Sequence, residues 1–174
     1  MKFRHDTVAI GLHWLVAILL IPMLLFGEEL MGDDGGTFLP SIHISLGVSI
    51  LVLSLLRLAW RMINPPPDLP ATMAEWEKTA ASATHILFYV LMIGLPLTGW
   101  LAFDNFLPRH PGMAGVTIFG LTQVPYAPDP GRLASNIHNL ASKIGLALLG
   151  LHVLAAFKHQ FYNRDGLLRR MLPF

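Results

Sequence analysis

The sequence predicts an all-α integral membrane protein, a four-helix bundle with both termini on the inner side and a long outer loop between helices 3 and 4. Three observations carry this. Four separate runs are each long and apolar enough to cross a hydrocarbon layer of ~30 Å, which takes roughly 20 residues of helix. Hydrophobic residues make up 53% of the 174 residues and charged residues 13%, against about a quarter charged in an average soluble domain. Lys and Arg are sorted by loop rather than spread evenly. The length suits one domain, residues 1–174.

The first span is expected over about residues 8–27. Lys2 and Arg4 precede it as in a secretory leader, but the apolar stretch is too long and no small-x-small site closes it, so it reads as a retained span. The connection from Glu28 to Leu39 holds four acids and no Lys or Arg. The second span covers about 40–58 and ends before Pro65, Pro66 and Pro67, which cannot continue a helix. The third covers about 80–103, with Pro96 as a kink without chemistry. The loop from Asp104 to Ala134 is rich in Gly and Pro and is expected to fold over the end of the bundle. The fourth span covers about 135–158. The spans lack the period-2 alternation of membrane strands.

Orientation follows from the basic residues. With the N-terminus inside, Lys2, Arg4, Arg57, Arg61, Lys78, Lys158, Arg164, Arg169 and Arg170 lie on the inner side. Arg109 and Arg132 lie outside, and Lys143 falls within the fourth span. Nine against two predicts both termini in the cytoplasm; if the source is bacterial, the chain is a multi-pass inner-membrane protein with the long loop in the periplasm. Nothing in the charge or aromatic pattern suggests nucleic acid binding.

Ionisable residues inside spans are costly and mark function by default. Apart from Lys143, those well inside these spans are histidines, at two depths. His13, His85 and His152 lie toward the inner side, His43 and His138 toward the outer. His138 and His152 are fourteen residues apart, which is about 21 Å of rise and a rotation within ~40° of full turns, so one helix face presents a ring at each depth. Gly145 stands midway on that stripe, where a missing side chain suits a flat group against the backbone. Gly47, one turn after His43, and Gly11, just before His13, are further small residues beside the histidines.

There is no cysteine. That removes disulfides, iron–sulfur clusters, thiolate ligation and covalent C-x-x-C-H haem attachment. Zinc needs its ligands clustered in a shell of ~2 Å, usually four of them. Histidines paired across helices at separate depths instead suit haem, which takes two axial nitrogens on opposite faces. Two such ligands fill both axial positions and favour electron transfer over oxygen binding. A lone membrane histidine is well explained by an interhelical hydrogen bond; five at two matched depths are not. The outer pair is His43 with His138 by elimination. The inner pair stays open among His13, His85 and His152, with His13 and His152 preferred. Arg57, fourteen residues after His43, shares its face at the inner depth and is a candidate partner for haem propionates. Lys143 is placed either to neutralise an outer propionate or to snorkel outward. Trp100 reads as an interfacial anchor, and His5 and His110 as surface residues.

The motifs themselves resemble the bacterial cytochrome b561 family, related to the cytochrome b subunits of membrane-bound hydrogenases and formate dehydrogenases. The matching segments are Gly11-Leu12-His13-Trp14, Ile42-His43-Ile44-Ser45-Leu46-Gly47-Val48-Ser49 and Leu56-Arg57-Leu58-Ala59-Trp60-Arg61. The run from His85 to Leu91, Gly94-Leu95-Pro96-Leu97-Thr98-Gly99, Phe119-Gly120-Leu121-Thr122 and Val124-Pro125-Tyr126-Ala127 also match. So do Ile137-His138-Asn139-Leu140 and Gly150-Leu151-His152, and the resemblance covers nearly the whole chain.

The resemblance implies two non-covalent haems b, one on His13 and His152 and one on His43 and His138, and exchange of electrons with quinone. Similar members include superoxide oxidases, which oxidise superoxide on the periplasmic side and reduce ubiquinone. His85, His159 and Lys78 lie at the inner depth, where a quinone head would accept hydrogen bonds. The acidic first loop would repel an anionic substrate, so Arg109, Arg132 and Lys143 would have to offset it. The expected function is transmembrane electron transfer from a periplasmic donor, with superoxide a candidate, to ubiquinone. The alternative is a haem-bearing anchor subunit relaying electrons for a soluble dehydrogenase or hydrogenase partner. A histidine-lined metal transporter is disfavoured, since the spans contain no acid.

Overall fold

A computed structural model describes residues 4–32, 36–127 and 132–172. Four long helices form the molecule: α1 (Thr7–Leu30), α2 (Phe38–Ile63), α3 (Glu75–Phe106) and α4 (Arg132–Phe157). All four are long and apolar enough to cross a membrane. α1 packs on α2 and α4, α2 on α3, and α3 on α4, closing a ring of four. Apolar side chains such as Leu15, Ile18, Leu56, Ile86, Leu151 and Leu154 face outward on all of them. That surface would be ruinous in water and is what hydrocarbon requires.

Each helix runs several residues past its apolar stretch, because backbone hydrogen bonds continue into polar sequence at the interface. Asp6 caps α1 by accepting from the Ala9 amide at 2.9 Å, and its carboxylate also accepts from the Trp60 indole at 2.9 Å. One carboxylate thus fixes the start of α1 and ties it to the end of α2. α2 stops at Asn64, before the three prolines. Glu75 and Glu77 lie in the first turn of α3, where the helix dipole favours them.

The loop after α3 covers the far end of the bundle, as expected. It also contains a short antiparallel pair, β1 (Thr117–Ile118) and β2 (Thr122–Gln123). Ser41 and Ser45 of α2 accept from the Thr117 and Phe119 amides at 3.0 and 2.8 Å. Asp104 accepts from the Ala127 amide at 2.7 Å. Beneath the loop Phe103, Met113 and Val116 form a buried cluster. Trp100 is partly exposed, and its indole donates to the Pro125 carbonyl at 2.9 Å, so it anchors this loop.

At the opposite end the start of α1 meets the segment that follows α4. After α4 the chain makes a π-helical turn, Lys158–Asn163, then reverses through Arg164 and Gly166, both with positive φ, into a 3-10 turn, Leu168–Met171. This tail folds over the bundle. The Trp14 indole donates to Met171 O at 2.7 Å, Arg4 donates to Leu172 O, and Arg170 donates to Asp68 O at 2.6 Å. His5, expected at the surface, is half-buried beneath the tail, its amide 3.4 Å from Arg170 O.

Candidate functional site

At the loop-covered end, His43 of α2 and His138 of α4 face each other with ring centroids 6.3 Å apart and planes inclined by 57°. The Nδ1 of His138 lies 2.9 Å from Leu95 O, in the turn that Pro96 interrupts. A carbonyl only accepts, so Nδ1 carries the proton and Nε2 keeps its lone pair. Pro96 therefore stands beside chemistry after all: the carbonyl before it orients a site histidine. His43 Nδ1 is buried against the Gly27 backbone and has no well-formed hydrogen bond among the described residues.

Each of these rings lies over a glycine of a neighbouring helix. A Cβ on Gly27 of α1 would come within 3.3 Å of His43 Cε1. One on Gly99 of α3 would come within 3.0 Å of His138 Cε1 and 3.2 Å of its Nδ1.

At the end carrying the termini, His152 of α4 has two histidine neighbours. The His13 ring of α1 is 6.4 Å from it and the His85 ring of α3 is 6.1 Å, inclined by 64° and 67°. Phe88 packs edge-on against His152 at 5.4 Å. Arg57 reaches this site from α2, with Nη1 2.6 Å from His13 Nδ1. Guanidinium has no acceptor, so His13 Nδ1 accepts and the proton of its neutral ring sits on Nε2. The three inner histidines predicted from depth do come together, and Arg57 joins them through a ring nitrogen.

Two imidazoles bound to one metal at about 2 Å place their ring centres about 6 Å apart. All three histidine pairs show that separation. Among the described residues no group of three or more His, Cys, Asp or Glu is placed to hold a metal ion. Paired rings on opposing helices, a buried Nδ1 without a well-formed hydrogen bond and glycine clearance fit a flat group with two axial positions. They do not fit a compact zinc shell.

The remaining predicted residues are placed differently. Gly145 is buried, but its open position is filled by Leu24 Cδ2, 3.2 Å from where a Cβ would stand, so it serves helix packing here. Around Gly11 and Gly47 there is open space. His159 pairs with Asp165, Nδ1 to Oδ2 at 2.5 Å, both side chains largely buried. Lys78 pairs with Glu75 at 2.7 Å, and Lys158 with Glu77. One cavity at this end is lined by His5, Arg57, Trp60, Arg61 and Tyr89, and another by the tail. Neither is lined by His85, His159 or Lys78. Lys143 is exposed on the lipid-facing side of α4, which favours outward snorkelling. The Arg109 side chain lies outside the described residues.

Sequence reasoning missed Gly27, Gly99, the Leu95 carbonyl and Asp165. A signal for the two glycines was present. Gly27 follows His13 by fourteen residues, and Gly99 follows His85 by fourteen.

Residues 4–174 match the family described as prokaryotic cytochrome b561. A Yersinia pestis protein named probable superoxide oxidase CybB is 30% identical over 99% of this chain and 98% of its own length. Cytochrome b561 homolog 2 of Escherichia coli is 28% identical over 97% of this chain and 91% of its own. Cytochrome b562 of Cereibacter sphaeroides is 28% identical over 97% and 94%. With four membrane-capable helices and a match reaching from Arg4 to the last residue, the chain belongs to the prokaryotic cytochrome b561 family and is a b-type cytochrome of membrane electron transfer.

Proposed function

We propose that this chain is a di-haem oxidoreductase that moves electrons from a periplasmic donor to ubiquinone at the cytoplasmic side. His43 and His138 hold the haem nearer the loop-covered end, and His13 and His152 the other. Haem bound there supplies one-electron exchange. The chain's residues orient the rings, exclude water and balance charge. The single observation that carries the reading is the outer pair: two rings from facing helices 6.3 Å apart, one with its tautomer set for ligation by a backbone carbonyl. The charge bias of the loops supports N- and C-termini on the inner side.

Arg57 links the inner assignment to charge balance. For His13 to ligate through Nε2, its proton must move to Nδ1, which then no longer accepts from Arg57. The Arg57 guanidinium would then be free of that bond and could balance the charge of a haem propionate. The quinone head is assigned to the tail end, with His85, His159 and Lys78 as candidate partners; Lys78 would first have to leave Glu75.

The donor is proposed to be superoxide, on the name of the Yersinia pestis relative. The acids of the first outer loop, Glu28 and Glu29 among them, oppose an anion, so the rate is expected to rise with ionic strength as they are screened.

The purified protein should show reduced-minus-oxidised b-type bands and two haems per chain. His138→Ala should lose one haem and His13→Ala the other, while His85→Ala keeps both. Loss of a haem with His85→Ala and retention with His13→Ala would reassign the inner pair. Full retention in both His138→Ala and His13→Ala would sink the reading. Superoxide-driven reduction of ubiquinone by the lone chain in liposomes tests the donor and acceptor. Activity only with a co-purified soluble dehydrogenase would instead make it an anchor subunit.

A further inference from the structure

The tail that reverses after α4 builds a feature the electron-transfer reading does not use. A cavity of about 330 Å³ opens between the π-helical turn and the 3-10 turn, lined by Gln160, Phe161, Arg164, Gly166 and Arg169. Both charged residues of this wall are arginines, and no acid shares it.

Most other cations at this end are already engaged. Arg57 contacts His13, Lys78 contacts Glu75, Lys158 contacts Glu77, and Arg170 donates to Asp68 O. Arg164 makes one weak bond, Nε to Phe161 O at 3.4 Å, and no other among the described residues. Arg169 has no partner among the described residues. Two guanidiniums on one cavity, with no acid partner among the described residues, make a site for an anion with several acceptor oxygens.

The loop that presents them is held in place. Arg164 adopts φ +52° and Gly166 φ +73°. Between them Asp165 is fixed on both oxygens, to His159 at 2.5 Å and to the Leu167 amide at 3.1 Å. The left-handed turn swings Arg164 back toward Arg169, so the cavity is a property of the fold.

The surroundings select the ligand. Phe161 and Tyr162 are 69% and 83% exposed, and Phe157 stacks obliquely on Phe161 with centroids 6.0 Å apart. These rings stand at the inner end of the fourth membrane-capable helix, at the level where aromatic side chains meet the headgroup region. An aromatic ring lining the same cavity as two guanidiniums matches a molecule with an acyl chain on one side and a phosphodiester on the other. We infer that Arg164 and Arg169 form a phosphodiester site occupied by the headgroup of an anionic phospholipid, seated against Phe161. Occupancy would brace the tail, which caps the inner end through Met171 and Arg170.

The test uses the haem-loaded full chain in neutral detergent, with thermal unfolding and native mass spectrometry as readouts. Phosphatidylglycerol is expected to raise the unfolding midpoint and remain bound, while phosphatidylcholine does neither. Arg164→Gln/Arg169→Gln is expected to weaken phosphatidylglycerol binding by about ten-fold or more, the loss of two charged hydrogen bonds. Arg164→Lys/Arg169→Lys keeps the charge and should fall between, which guards against a folding defect. Arg132→Gln, at the other end of α4, should leave phosphatidylglycerol binding at the tail unchanged. Millimolar inorganic phosphate separates the sources: stabilisation by phosphate alone, lost in the double Gln variant, would keep the phosphate site but overturn the lipid as its occupant. Undiminished phosphatidylglycerol binding in the double Gln variant, or an equal loss with Arg132→Gln, would overturn the site itself.

Discussion

Gly99→Ala adds one methyl group and should cost the protein its outer haem. The new Cβ would stand 3.0 Å from His138 Cε1 and 3.2 Å from Nδ1. Ordinary carbon contacts lie at about 3.5–4.0 Å, so the ring must retreat by about half an ångström. It is not free to do so, because Nδ1 is held 2.9 Å from Leu95 O on the helix that carries Gly99. Losing that hydrogen bond costs about 0.5–1.5 kcal/mol, and overpacking at a fitted contact adds about 1–3 kcal/mol. Against this, Ala in place of Gly favours the helix by about 1 kcal/mol. The balance leaves a deficit of about 1–3 kcal/mol at this site, or roughly 5- to 150-fold weaker haem retention. Gly94→Ala is the matched control, on the same helix with no atom within 4 Å of the added group. Haem-to-protein ratios of the two variants, measured after dilution in detergent, should separate them: near two for Gly94→Ala, approaching one for Gly99→Ala. Equal ratios, or loss of the haem that depends on His13 rather than the one that depends on His138, would refute the assignment of Gly99 to the outer site.

Three further perturbations probe the inner end. Arg57→Gln removes a positive charge beside His13 and should lower the midpoint potential of the inner haem alone; a unit charge about 8 Å away at an effective dielectric of about 20 is worth about 2 kcal/mol, close to 90 mV for one electron, in a redox titration. Asp165→Asn weakens a short contact to His159 and disturbs the Leu167 amide, so thermal unfolding should show a loss of about 1–3 kcal/mol with both haems retained. His5 has its pKa lowered from 6.5 by burial, then by Arg57 and Arg61, against a smaller opposing pull from Asp6. Its folded-state value lies below its unfolded one, so the neutral form is favoured on folding. That stability is fully present above about pH 6.5 and is lost as pH falls toward the folded pKa. His5→Gln should therefore flatten the acid side of the stability profile, and an unchanged slope between pH 6.5 and 5 would count against it.

The spans were legible because hydrocarbon demands apolar length, a property each helix carries alone. Their ends were not. Glu28–Leu30, Ala59–Ile63 and Glu75–Thr79 are helical although polar residues interrupt the apolar pattern, since backbone hydrogen bonding does not stop where the lipid does. The fold of the tail was invisible too. It depends on Trp14, Arg4 and Asp68 meeting residues more than a hundred positions away, and no periodicity encodes such contacts.

For the site, the depth of each histidine was legible from counting, but the residues around the rings were not sought with the same rule. Fourteen residues return a helix to nearly the same face about 21 Å along its axis. That spacing joins His138 to His152 on α4, His43 to Arg57 on α2, His13 to Gly27 on α1 and His85 to Gly99 on α3. In every helix one member of the couple lies at each site. Gly27 and Gly99 clear the outer rings, Arg57 touches His13, and His85 flanks His152. On the proposed assignment the bundle repeats one requirement twice along its length: each helix would offer a ligand, a gap or a charge at both depths. Gly145, chosen at the midpoint of the stripe, falls between the two levels and meets Leu24 instead. Four helices each meeting two levels a fixed distance apart allow little freedom to shift one helix along its axis. Inserting a single residue between Gly27 and His13, or between Gly99 and His85, would rotate one level by ~100° against the other and separate the glycine from the ring it now clears.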